Sequence, residues 1–174
     1  MVYIKRDQPE HAIRAFYNSF GQNLYADVRC FTEHPVAAFG LGAGPFYKTP
    51  DENCWINWLR HILLCEIGDD ILRVCPAAPR AWFKPGRTFE CENMATYFGP
   101  ISFKITSSRD KIVAEIEPPT RNAPKILELR LRHPDKARIK SVTVNGKAHQ
   151  DVDAEREIVS LREFEGKLVV EAGY

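Results

Sequence analysis

The hydrophobic residues of this chain change period near residue 70, and that change limits what it can fold into. Before it, Ile13, Phe16, Tyr17, Phe20, Leu24 and Val28 recur at intervals of three and four, the spacing of one helix face. After it, strict alternation takes over. Ile101, Phe103 and Ile105 alternate with Ser102, Lys104 and Thr106, and Leu127, Leu129 and Leu131 with Glu128, Arg130 and Arg132. A period of two belongs to strands with one apolar and one wet face, which bury the apolar face by packing sheet on sheet.

Each helix has a start signal. In Asp7–Gln8–Pro9–Glu10, Asp7 is placed to accept from the free amides, Pro9 needs no amide partner in a first turn, and Glu10 can close the capping box. The stripe predicts a helix from there to about Arg29, weakened by Gly21. Thr49–Pro50–Asp51–Glu52 repeats the signal. Behind it Trp55, Trp58, Leu59, Ile62, Leu63 and Cys65 cover more than one face, which predicts a helix buried on both sides and stopped at Gly68. Two helices cannot cover each other so fully. They must lie on the sheet, on another subunit or on further helices.

Strands are expected from Ile71 onward. Ile112, Ala114 and Ile116 alternate with Val113 and Glu115, and Val142 and Val144 with Ser141 and Thr143. Asn145–Gly146 is the strongest hairpin signal, since both residues accept the positive φ of a type I′ turn. Glu157–Leu161 and Lys167–Ala172 read as closing strands. Gly99–Pro100, Pro118–Pro119 and His133–Pro134–Asp135 read as turns. On this pattern Glu128, Arg130, Arg132, Lys140 and Thr143 fall on the solvent face, which leaves open a protein-binding β-sandwich. The fold class is mainly β: an antiparallel β-sandwich of about seven or eight strands preceded by a short segment of two helices. The division is 1–76 for the helical segment and 77–174 for the sandwich, with Ala77–Lys84 as the seam.

Composition removes several functions. With 44% hydrophobic and 27% charged residues the chain is ordinary globular material, and a net charge of +1 gives no reason to expect nucleic acid. No apolar run approaches the roughly 20 residues of a membrane span, and Met–Val–Tyr–Ile–Lys–Arg–Asp is no signal peptide. Five cysteines, Cys30, Cys54, Cys65, Cys75 and Cys91, form no CxxC and are odd in number. Free thiols in a reducing compartment are expected, hence a cytoplasmic protein without a membrane partner.

Chemistry-bearing residues are densest at 27–34 and 43–52. Aromatic rings beside carboxylates suit a sugar ring and its hydroxyls. Glycoside hydrolysis needs two carboxylates roughly 5 to 10 Å apart. Glu33 and Asp51 are the candidate catalytic residues, with Asp27 and Glu52 behind them, and His34, Tyr47, Lys48 and Trp55 are the candidate substrate-binding residues. Each has a plainer role: Asp51 and Glu52 suit a helix first turn, and the tryptophans suit a core or an interface. No metal is expected, because the five histidines are scattered and the one-turn pair His61–Cys65 supplies only two ligands. No cofactor is expected, since Gly40, Gly42 and Gly44 lack the preceding strand and spacing of a phosphate loop.

An ordered set of blocks carries a resemblance over nearly the whole chain. Phe46–Tyr–Lys–Thr–Pro–Asp–Glu52 is followed by Trp55–Ile–Asn–Trp–Leu–Arg60 and Ile71–Leu–Arg–Val–Cys–Pro–Ala–Ala–Pro–Arg–Ala–Trp–Phe83. Then come Ala95–Thr–Tyr–Phe–Gly–Pro–Ile–Ser–Phe103, Leu129–Arg–Leu–Arg–His–Pro134 and Ile139–Lys–Ser–Val–Thr–Val–Asn–Gly–Lys147. Together they resemble the C-terminal region of large bacterial glycoside-hydrolase-like proteins, in which an (α/α)₆ toroid is followed by an accessory β-sandwich. The resemblance implies that residues 8–68 are final toroid helices and 70–174 the buttressing sandwich, in a segment of a longer enzyme or a naturally short remnant. In such enzymes the acid usually comes from upstream helices. The leading expectation is therefore a non-catalytic accessory module associated with carbohydrate. Its helical face would be covered by a second copy or by a further helical domain packed on residues 8–68. The alternative is a glycoside hydrolase, self-sufficient or completed across a dimer, with its site in residues 27–55.

Overall fold

The computed structural model describes residues 2–25, 30–31, 34–36, 41–43 and 49–174, with side chains placed for 2–24, 31 and 52–174. Helices α1 (Val2–Lys5), α2 (Pro9–Asn23) and α3 (Thr49–Leu63) pack together. Two short antiparallel pairs lie between α2 and α3: β1 (Leu24–Tyr25) with β2 (Cys30–Phe31), and β3 (His34–Val36) with β4 (Leu41–Ala43).

The remaining strands form the sandwich. They are β5 (Leu64–Ile67), β6 (Ile71–Val74), β7 (Thr88–Met94), β8 (Ile101–Ser107), β9 (Lys111–Glu117), β10 (Ile126–Arg130), β11 (Ser141–Val144), β12 (Lys147–Ala148), β13 (Val152–Asp153), β14 (Ile158–Leu161) and β15 (Leu168–Gly173). One sheet runs β13–β14–β10–β6–β5 and the other β12–β11–β15–β9–β8–β7. The pairing is antiparallel except between β6 and β10, which run parallel with Leu72 opposite Leu127 and Val74 opposite Leu129. The alternation seen in the sequence does what its period requires. Phe103 and Ile105, Ile112 and Ile116, Leu127 and Leu129, and Val170 and Ala172 all meet in one core between the sheets.

The helices lie on the outer face of the five-stranded sheet. There Ile4, Ala12, Ile62, Cys65 and Ala77 form a second, smaller core. β5 explains how both layers are served. Leu64 points into the sandwich core and Cys65 into the helical one, each fully buried.

Both helix ends differ from expectation. α2 stops at Asn23, short of Arg29, and Leu24 enters β1. The turn back places Phe31 against Phe20 and Trp55, with ring centroids 5.2 and 4.9 Å apart. α3 stops at Leu63, and Gly68 is no helix stop; it sits at φ 63° between β5 and β6. An apolar run such as 62–65 suits either period. Here opposite-face burial of Leu64 and Cys65 fixes it as strand. The sheet thus begins at Leu64, on the helical side of the expected seam.

Asn145 and Gly146 do form the left-handed pair of the β11–β12 hairpin, at φ 49° and 78°. Asn145 Oδ1 also accepts from the Val169 amide at 2.7 Å, tying the turn to β15. A Cβ at Gly146 meets no atom within 4 Å. Gly146→Ala is therefore expected to cost about 1 kcal/mol from backbone conformation alone. Urea unfolding checks this, and an unchanged midpoint would show that the turn relaxes freely.

Candidate functional site

The sequence-predicted site residues divide sharply. Glu33, Tyr47 and Lys48 lie outside the described residues. His34 falls in β3 and Asp51 in the first turn of α3, both with side chains outside the description. Trp55 is placed, and it is buried: Phe16, Phe20, Phe31 and Trp58 surround it with centroids 4.8 to 5.9 Å away. Such a ring is a core anchor, and no face of it is left for a sugar.

The densest polar constellation lies elsewhere, between the helices and the five-stranded sheet. Arg130 and Arg132, expected on the solvent face, are 2% and 1% exposed. The sheet's wet face is covered by α1 and α2, so its arginines meet carboxylates in place of water. Asp7 Oδ1 accepts from Arg73 at 3.0 Å and from Arg130, and Oδ2 accepts from Arg156 at 2.7 Å. Arg73 also donates to Glu128, opposite it on the neighbouring strand. Glu10 accepts from Arg132, and Glu157 takes both ends of Arg80 at 2.7 Å. Backbone carbonyls absorb further donors: Arg130 reaches Pro76, Arg132 reaches Ala78 and Arg80 reaches His133.

This corrects the capping assignment. α2 has Gln8 at its N-cap with no side-chain cap bond, and Asp7 and Glu10 are spent on arginines. Asp7 takes φ 58° at the α1–α2 junction, a left-handed conformation aspartate tolerates better than most residues. Burial pushes its carboxyl upward, but the hydrogen bonds from Arg156 and Arg130 outweigh this and hold it below the usual carboxylate range. Chemically the constellation is a latch. Each of its carboxylates accepts from at least one guanidinium group.

Two open surfaces flank the latch. On the helical side, Val2, Tyr3, Ala12, Ala15, Phe16 and Trp58 line a groove of about 280 Å³. At the junction of α3 with the sandwich a wider groove of about 610 Å³ is walled by Leu59 and Leu63, by Trp82 on the 3₁₀ turn Arg80–Phe83, and by Phe89 and Cys91 on β7. It is open to solvent along its length. A third depression, of about 560 Å³, lies within residues 123–165.

Among the described residues no cluster of histidine, cysteine and carboxylate has the makings of a metal site. Cys65 lies in β5, beyond the end of the helix that carries His61. Burial pushes the thiols of Cys65 and Cys75 up, away from the thiolate form. No described helix is long and apolar enough to cross a membrane. No protein-family model matches the chain, and no curated protein matches it.

Proposed function

We propose that the chain is a non-catalytic accessory module of a carbohydrate-active, glycoside-hydrolase-like protein, in which its helices dock on other helices and its sandwich buttresses them. The observation that carries this reading is the outward face of the helical layer. Ile56, Trp58 and Leu59 of α3 are 68%, 41% and 40% exposed, and Val2 and Tyr3 of α1 stand beside the groove at 61% and 41%. A helix expected to be buried on both sides is thus covered on one. Val2, Tyr3 and Trp58 share one groove, and an exposed apolar patch of this kind marks an interface. The Arg–carboxylate latch supports the same reading, since it ties the α1–α2 junction and α2 to the five-stranded sheet. The carbohydrate association rests on the ordered sequence blocks.

In isolation the face is expected to recruit a second copy. Size-exclusion chromatography with light scattering should give a dimer at micromolar concentration, and Trp58→Glu should give a monomer with an unchanged far-UV spectrum. A monomeric parent would remove the second copy as partner. A panel of aryl glycosides and oligosaccharides should yield no turnover. Turnover by the parent that is lost in Glu33→Gln would overturn the non-catalytic reading.

A further inference from the structure

We propose that the free edge of β7, with the groove beside it, is a docking site for an extended polypeptide segment that alternates apolar and basic residues and adds to the sheet as a further strand. β7 ends the six-stranded sheet, and at seven residues it is longer than the other edge strands β5, β12 and β13. Its inner side pairs with β8 from Thr88 opposite Thr106 to Cys91 opposite Phe103. The Ser107 amide donates to the Arg87 carbonyl at 3.0 Å, which sets the odd residues of β7 as those bonded to β8. Thr88 and Glu90 therefore turn their amide and carbonyl groups outward. Among the described residues no backbone hydrogen bond meets them. A row of unmet backbone groups is a template for strand addition.

Side chains on the two faces of β7 specify what the added strand carries. Phe89 and Cys91 face the apolar groove with Leu59, Leu63 and Trp82. On the other face Glu90, Glu92, Glu115 and Glu117 gather with Lys104 and Lys167 around a depression of about 320 Å³. Four carboxylates against two amines leave that face acidic. An incoming strand thus meets apolar surface at one set of alternate positions and negative charge at the other, so its complement is apolar and basic in turn. A second copy's β7 would bring Glu90 and Glu92 beside their own like charges, which disfavours self-pairing. The site is short. A register break between Cys91 and Met94, with Asn93 at φ 51°, ends the regular edge and limits docking to the stretch opposite Thr88–Cys91.

The test uses a fluorescein-labelled peptide of alternating valine and lysine, titrated by anisotropy beside one of alternating valine and glutamate. Saturable binding of the lysine peptide alone is expected, weakening with salt and falling at least tenfold in Glu90→Lys/Glu92→Lys. Hydrogen exchange should show the Thr88 and Glu90 amides protected on binding. Thr88→Pro removes one outward amide at the first residue of an edge strand, a position where proline is tolerated. It should abolish binding while circular dichroism stays unchanged. Absence of binding by the lysine peptide overturns the proposal. So does binding that leaves both amides unprotected, since the contact would then be charge alone.

Discussion

Asp7→Asn should destabilise the fold by about 3 kcal/mol, because removing one partner of a buried ion pair leaves the other uncompensated. Asparagine preserves the shape and still tolerates φ 58°, so the change isolates the charge. What it leaves behind is Arg130 and Arg73, at 2% and 6% exposure, without the carboxylate that joins them to the helices. The comparison is Glu171→Gln. Its pair with Lys111 is as short, at 2.7 Å, but both groups are about half exposed, and under about 0.5 kcal/mol is expected. Urea unfolding of the two variants decides the matter, and equal losses would show that the latch contributes no more than a surface pair. The pH dependence has a fixed sign. The carboxyl of Asp7 is held below its unfolded value, so its contribution is complete above the unfolded value of about 3.9 and is lost as pH falls through the folded one. Acid unfolding of the parent should therefore be steeper than that of Asp7→Asn below about pH 4.

The latch also shows where the sequence was legible and where it was not. Alternation identified the strands around Phe103, Ile112, Leu127 and Val142, because a period of two needs no knowledge of neighbours. The left-handed turn at Asn145–Gly146 was legible for the same local reason. Arg130 and Arg132 carried the same periodic signal and were misread, since alternation says that a residue faces away from the core and says nothing of what covers that side. Only the docking of α1 and α2 turns the wet face of the sheet into an interior, and that is a tertiary fact. Asp7 and Glu10 failed likewise: a cap and a salt-bridge partner require the same residue types at a helix start. β5 was hidden because Ile62–Leu63–Leu64–Cys65 is apolar throughout and so carries no period. Of the candidate site residues, Trp55 went to the aromatic core because Phe31 folds back onto it. The feature that could have pointed to β7 was its mixture of Phe89 and Cys91 with Glu90 and Glu92 after the proline-bracketed seam.

Phe83→Ala should cost more than any change at the groove surface, about 3 to 5 kcal/mol. Phe83 is fully buried in the sandwich core and meets Phe89 edge to face at 5.4 Å. It ends the 3₁₀ turn that begins with Arg80, so one short element joins the latch, the wall of the groove and the core. Trp82→Ala deletes a larger ring from the same turn, but Trp82 is only half-buried and lines open space, so less than half that loss is expected. Phe83→Leu keeps most of the volume and should recover all but about 1.5 kcal/mol. A transmitted effect separates anchoring from simple filling. If Phe83 holds the turn in place, its removal lets Trp82 swing from Phe89, now 5.6 Å away, and tryptophan emission shifts in the folded state before any denaturant is added. An alanine variant with the full loss of stability but unshifted emission would mean that the turn is held by Arg80 and its carboxylate partners, and that Phe83 only fills the core.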